Sequence, residues 1–110
     1  MVVSILTRKT RLKDRSQWEA ALQKVLPRIS ELLQAEGGFV SVQYAWGVED
    51  DSEFAQTTAW DSLDDCLRYI RGGTAATVAT VEDAAIPTAG HPDGAWVRKT
   101  FEVTAQAGPP

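Results

Sequence analysis

The stretch Glu53-Phe-Ala-Gln-Thr-Thr-Ala-Trp60-Asp-Ser-Leu-Asp-Asp-Cys-Leu-Arg-Tyr-Ile70 passes from an alternating, β-branched segment through a tryptophan straight into a capped amphipathic helix. Phe54 to Trp60 has the composition and period of a strand. Ser62 with Asp65 three residues later has the spacing of a helix N-terminus, where the serine oxygen accepts an orphan backbone N–H. Leu63, Leu67 and Ile70 then predict a buried stripe, with Cys66 beside it. The order strand then helix is thereby set, and the flanking segments complete the fold.

Upstream, Phe39 to Gly47 alternates strictly, with Val40, Val42, Tyr44 and Trp46 on one face and Phe39, Ser41, Gln43 and Ala45 on the other. The acidic loop Val48 to Glu53 joins it to Phe54–Trp60 as an antiparallel hairpin. That loop length leaves the register open by one residue, and with it whether Trp46 and Trp60 share a face. Before the hairpin, Ser16 and Glu19 read as a capping box, and Trp18, Leu22, Val25, Ile29 and Leu32 recur at helical spacing, widened by Leu26 and Leu33. Gly37-Gly38 ends this helix, and Pro27 inside it predicts a kink rather than a break, since the apolar stripe continues in phase.

Residues 2–11 read as the first strand, Val3, Ile5, Thr7 and Lys9 alternating with Val2, Ser4, Leu6 and Arg8. After Gly72-Gly73, residues 74–86 predict a further short helical stretch, residues 87–94 a turn-rich loop and residues 95–103 a last strand. In that strand Trp96, Arg98, Thr100 and Glu102 alternate with Val97, Lys99, Phe101 and Val103. Residues 105–110 are expected to fray as a tail beyond a single domain spanning 1–104.

Strand, helix, strand, strand, helix, strand is the split β-α-β order of the ferredoxin-like α+β fold: a four-stranded antiparallel sheet with its helices on one face. The other face is left uncovered. Because Phe39 lies opposite the Val40 to Trp46 set and Phe101 opposite Trp96, both faces carry apolar groups, and a homodimer is expected across the free one.

The 110 residues carry a formal charge of -4, which gives no general attraction to nucleic acid or to an anionic membrane. No apolar run approaches spanning length, and the basic residues follow the first apolar residues instead of preceding them, so a cytoplasmic protein is expected. Cys66 is the only cysteine, leaving no internal disulfide and no Cys/His spacing for a metal. Phosphate loops, dinucleotide fingerprints and nucleophile elbows are absent from the sequence.

The Gly-Gly-Phe39 lead-in to the second strand, and Trp60-Asp-Ser62 followed by Leu63 and Cys66, resemble the antibiotic biosynthesis monooxygenase-like domains of the dimeric α+β barrel superfamily over roughly residues 2–103. The resemblance implies a barrel formed by two sheets across a dimer, with a pocket in each subunit between sheet and helices. Enzymes of this kind resemble either cofactor-free oxygenases of aromatic phenols or heme-degrading oxygenases. Trp60 aligns with the tryptophan that heme degraders use, but their pattern also has an asparagine on the first strand and a histidine on or after the second helix. This chain has no asparagine and no histidine between Leu63 and Val81, so heme degradation is disfavoured.

A cofactor-free oxygenase needs an aromatic cavity and a polar group to hold a phenolate. Trp46, Trp60, Trp96, Tyr44 and Tyr69 are candidates to line it, and Arg8, Arg68 or Arg98 to stabilise the anion, for a small aromatic ligand and without cofactor or metal. Against this, aromatics on alternating strands commonly belong to a core or an interface, and arginines commonly keep their heads in water. His91, the single histidine, has the intrinsic pKa of a base but sits in a Gly-His-Pro-Asp-Gly loop. Cys66 reads as a small buried apolar residue, and the acidic hairpin loop as a solvated tip. The expected activity is oxidation of a small aromatic compound by molecular oxygen. The rival is a non-catalytic dimeric ligand-binding or stress-associated module.

Overall fold

The computed structural model describes residues 1–88 and 96–109. Its elements are β1 (Val2–Lys9), α1 (Arg15–Gln34), β2 (Phe39–Trp46), β3 (Glu53–Trp60), α2 (Leu63–Arg71), α3 (Thr74–Asp83) and β4 (Val97–Glu102). The strands form one antiparallel sheet in the order β2-β3-β1-β4. This is the ferredoxin-like α+β arrangement expected, with the second crossover divided at Gly72-Gly73 into α2 and α3.

The alternation of β1 places Val2, Ser4, Leu6 and Arg8 under the helices, while Val3, Ile5, Thr7 and Lys9 face the open side and stay half-buried. A serine and an arginine on the covered face need polar company there. The strand ends at Lys9, short of Arg11, and Thr10 makes only an isolated bridge to Thr88.

Helix α1 starts two residues earlier than the Ser16–Glu19 box required. Its cap is Asp14, whose carboxylate accepts the Ser16 N–H at 2.8 Å, and Glu19 instead takes Nε of Arg15 at 2.8 Å. Asp ranks with Ser as an N-cap, so the upstream residue of the pair captured the role. The helix runs unbroken through Pro27, which lies on the exposed side, and buries Trp18, Leu22, Ile29 and Leu33.

Strict alternation in β2 fails at its first turn of register. Phe39 pairs with Trp60 and Ser41 with Ala59, so a bulge falls at Val40; the extra residue is turned outward, 48% exposed, and Phe39 joins the covered face with Val42 and Tyr44. The lead-in is tight as well. Gly38 has φ 79 and its missing Cβ would collide with the Asp65 side chain, which is why a glycine stands there. From Ser41 onward the register is regular, with Trp46 opposite Phe54. Trp46 and Trp60 therefore share the covered face, at opposite ends of the hairpin.

Ser62 caps α2 as its spacing predicted, its Oγ accepting the Asp65 N–H at 3.2 Å. The buried stripe is rotated from the expected one: Cys66 and Tyr69 are fully enclosed, whereas Leu63 is 40% exposed. Stacking of Tyr69 on Trp60, with centroids 4.7 Å apart, turns the helix so that its first residue faces water. Two apolar clusters result. One gathers Val2, Ile29, Leu33, Trp60, Cys66, Tyr69 and Val78, the other Trp18, Leu22, Phe54 and Ile86.

Candidate functional site

Between the β1–β4 half of the sheet and helices α2 and α3 lies a cleft of about 390 Å³. Leu6 and Arg8 of β1 and Arg98 of β4 form its floor, Ile70, Ala75, Ala76, Ala79 and Asp83 its helical wall, and Trp96 its rim. The alanines are small enough to keep this wall flat. The pairing Leu6↔Arg98 puts Arg98 on the covered face beside Ser4 and Arg8.

The polar residues of the covered face are joined by a buried hydrogen-bond network centred on Glu82, which is 0% exposed. Its Oε2 accepts from the Tyr44 hydroxyl at 2.5 Å and from Gln56 Nε2 at 2.8 Å. Its Oε1 accepts from Arg8 Nη1 at 2.9 Å. Gln56 Nε2 also donates to Tyr44 Oη at 3.0 Å, so the one hydroxyl proton of Tyr44 is left for Glu82. Burial pushes the Glu82 carboxyl up from its ordinary range, opposed by the Tyr44 hydrogen bond and by the charge of Arg8. Three donors around an acceptor is the pattern of an ionised carboxylate. Arg8 turns its other nitrogen outward, Nη2 donating to Asp83 Oδ1 at 2.5 Å.

Arg98 is placed differently. Its Nη1 donates to Ser4 Oγ at 2.8 Å, its guanidinium lies 5.7 Å from the Tyr69 ring centroid, and it makes no ion pair among the described residues. Burial raises the Tyr69 phenol, with Arg98 pulling the other way, and the buried Tyr69 hydroxyl has no hydrogen-bond partner among the described residues. Burial likewise pushes the Cys66 thiol up, which keeps it an unreactive core group.

Of the nine residues singled out in the sequence, Arg8, Trp96 and Arg98 meet at this cleft. Trp60 is fully enclosed between Phe39 and Tyr69 and, like Tyr69, lines none of the cavities described. Tyr44 and Trp46 border a more open depression of about 770 Å³ beside the start of α1. Arg68 lies on the exposed side of α2, paired with Asp65 at 3.0 Å. His91 lies outside the described residues.

Tyr44 provides a test of the buried network. Desolvation, then the negative charge of Glu82, raise its phenol far above the ordinary value of 10.0, so the folded state keeps a proton that the unfolded chain releases. Stability from this source is fully present below pH 10 and is lost as pH rises beyond it. Denaturant melts between pH 10 and 11 are expected to show falling stability, with a shallower decline in Tyr44→Phe; equal slopes would contradict the buried phenol.

Solved structures share this architecture over nearly the whole chain. A monooxygenase from the gene ActVA-Orf6 of Streptomyces coelicolor, in complex with nanaomycin D, superposes with a TM-score of 0.71 at 13% identity, covering 99% of this chain and 92% of that one. SnoaB, a cofactor-independent oxygenase from Streptomyces nogalater, superposes at 0.60 with 16% identity, covering 96% and 95%. The fold is that of an antibiotic biosynthesis monooxygenase-like domain. The heme degrader MhuD of Mycobacterium tuberculosis, with two hemes bound, shares it too, with a TM-score of 0.64, 18% identity and coverage of 98% and 100%. No protein-family profile and no curated protein matches the sequence.

Two polar groups of the cleft and its network, Glu82 and Asp83, do not stand out in the sequence. Residues 74–86 read as helical without a defined face, because alanine, threonine and valine alternate too freely to mark a stripe. The usable signal was the four-residue step from Val78 to Glu82, which puts both on the buried side of α3.

Proposed function

We propose that this protein is a cofactor-independent oxygenase of a small, planar, phenolic compound, which it binds in the cleft between β1, β4, α2 and α3. The observation that carries this reading is Arg98, a cationic group without a carboxylate partner among the described residues, on the floor of an otherwise largely apolar cleft of about 390 Å³. That volume falls within the range of small-molecule sites. The likeness to oxygenases of known fold supports the reading, and the alanine face of α3 opposite the sheet leaves a slot suited to a flat ring.

In this scheme the phenol proton passes to Asp83, the carboxylate lining the cleft, and the phenolate rests against Arg98. The anion gives one electron to dioxygen, and the resulting carbon radical and superoxide combine into a C–O bond. After protonation the hydroperoxide breaks its O–O bond, losing water and leaving a ketone. For an anthrone the balance is CH2 + O2 → C=O + H2O, with no outside reductant. The protein's part is to hold the anion and exclude water around it. A heme fits less well here, because Trp60, the tryptophan that the resemblance associates with heme degradation, is fully enclosed and covered by Tyr69.

The experiment is oxygen uptake with an anthrone, without added metal or flavin, followed by mass spectrometry under labelled dioxygen. One labelled oxygen in the ketone at a rate above the spontaneous reaction is the expected result. No enhancement with any flat phenol would favour the non-catalytic binding module.

Two copies are proposed to associate through the open sheet face. Ile5, Thr7, Val97, Lys99 and Phe101 outline a shallow apolar depression there, and Val97 and Phe101 are 48% and 49% exposed. Light scattering is expected to give twice the mass of the chain, and Phe101→Lys to shift the particle toward the single chain. A monomer at tens of micromolar would contradict this.

A further inference from the structure

We propose that the Glu82–Arg8–Asp83 clasp sets the ligand specificity of the cleft, restricting it to compounds with one anionic group, which goes to Arg98. The inference rests on the cleft being the ligand site, as proposed above, and adds the charge class of the ligand. Two arginines, Arg8 and Arg98, stand on the same floor, and from the sequence either could receive an anion. The geometry distinguishes them.

Arg8 is spent on both sides. Its Nη1 meets the buried Glu82 at 2.9 Å and its Nη2 meets Asp83 at 2.5 Å. Two carboxylates on one guanidinium leave the clasp with an excess negative charge, and the fork that would grip a ligand carboxylate is already occupied. Glu82 is the fixed element, because Tyr44 and Gln56 hold its other oxygen. Asp83, whose side chain is 49% exposed, presents that negative charge to the cleft. A second anionic group on the ligand would approach the Asp83 carboxylate, while Arg98 accepts only one. Glu82 is thus a positioning residue acting through Arg8, and the clasp excludes by repulsion what Arg98 alone would admit.

The test compares 2-naphthoate with naphthalene-2,6-dicarboxylate, by fluorescence titration or calorimetry, on the full chain and on Glu82→Gln, Asp83→Asn and Arg98→Gln. The unaltered protein is expected to bind the monoanion at least tenfold more tightly than the dianion, and Arg98→Gln to lose that binding. Asp83→Asn and Glu82→Gln are each expected to shift the preference toward the dianion by about fivefold, read as the ratio of the two affinities on the same variant. Asp83→Asn, at a half-exposed position, keeps the test open should Glu82→Gln fail to fold. A purely structural clasp would weaken both ligands together. Arg98-dependent binding with an unchanged preference ratio would overturn the inference and leave the cleft reading intact; no saturable Arg98-dependent binding of either probe would overturn both.

Discussion

Trp60→Ala is expected to destabilise the domain by about 4 kcal/mol, the cost typical of deleting a buried tryptophan, and to lower the thermal midpoint by roughly 20 °C at this chain length. The ring is wholly buried, stacked on Tyr69 at 4.7 Å and edge-on to Phe39 at 5.6 Å. Its Nε1 donates to Thr58 Oγ1 at 2.9 Å. Removing it leaves a cavity at the meeting point of β2, β3 and α2, because the sheet on one side and the capped helix on the other limit collapse. Trp60→Phe keeps the stack and loses the hydrogen bond, so about 1 to 2 kcal/mol is expected. Calorimetry of the two variants decides whether this tryptophan is core or pocket. A loss below about 5 °C in Trp60→Ala would mean that the position opens to a ligand and that the cleft extends further than Tyr69.

The fold was legible because the sequence marks its junctions. Trp60 followed by Ser62 and Asp65 sets where a strand ends and a helix begins, and the alternation of residues 39–47 and 54–60 needs only the register to become a hairpin. What was not legible came from tertiary choices that no single segment contains. The bulge at Val40 moved Phe39 across the sheet, and Asp14 displaced Ser16 as the cap of α1. Stacking against Trp60 turned Tyr69 inward and Leu63 outward. Each is a contest between near-equal local options decided by packing.

The site was partly legible for the same reason. Aromatic residues advertise themselves, yet Trp60 and Tyr69 are spent on the core, while the groups that give the cleft its charge are a glutamate and an aspartate in a segment without a clear face. Their partners lie 74 and 75 residues away in the chain. Ser4 and Arg8 on the alternation of β1 were the earlier hint, since a polar pair on a covered strand face requires a polar counterpart somewhere above it.

Arg98→Gln is expected to lower kcat/KM for an anthrone or comparable phenol about a hundredfold, the scale of losing one preorganised group that stabilises a developing anion. The folding loss should be small, about 1 kcal/mol for the hydrogen bond to Ser4, because Arg98 sits at the sheet edge and is only partly buried. Activity and stability thus separate, unlike at Trp60. The pH profile carries the sign of the mechanism. A cation beside a phenol favours its ionised form and lowers its pKa, so the rate of the unaltered protein should reach its plateau at lower pH than that of Arg98→Gln, by roughly 1 unit or more. Arg98→Lys keeps the charge without the planar fork and should restore the plateau position while recovering only part of the rate. If Arg98→Gln lost activity with its profile unmoved, the guanidinium would be positioning a neutral ligand and the proton would have to leave by another route; if activity were unchanged, the anion would not be bound at Arg98 at all.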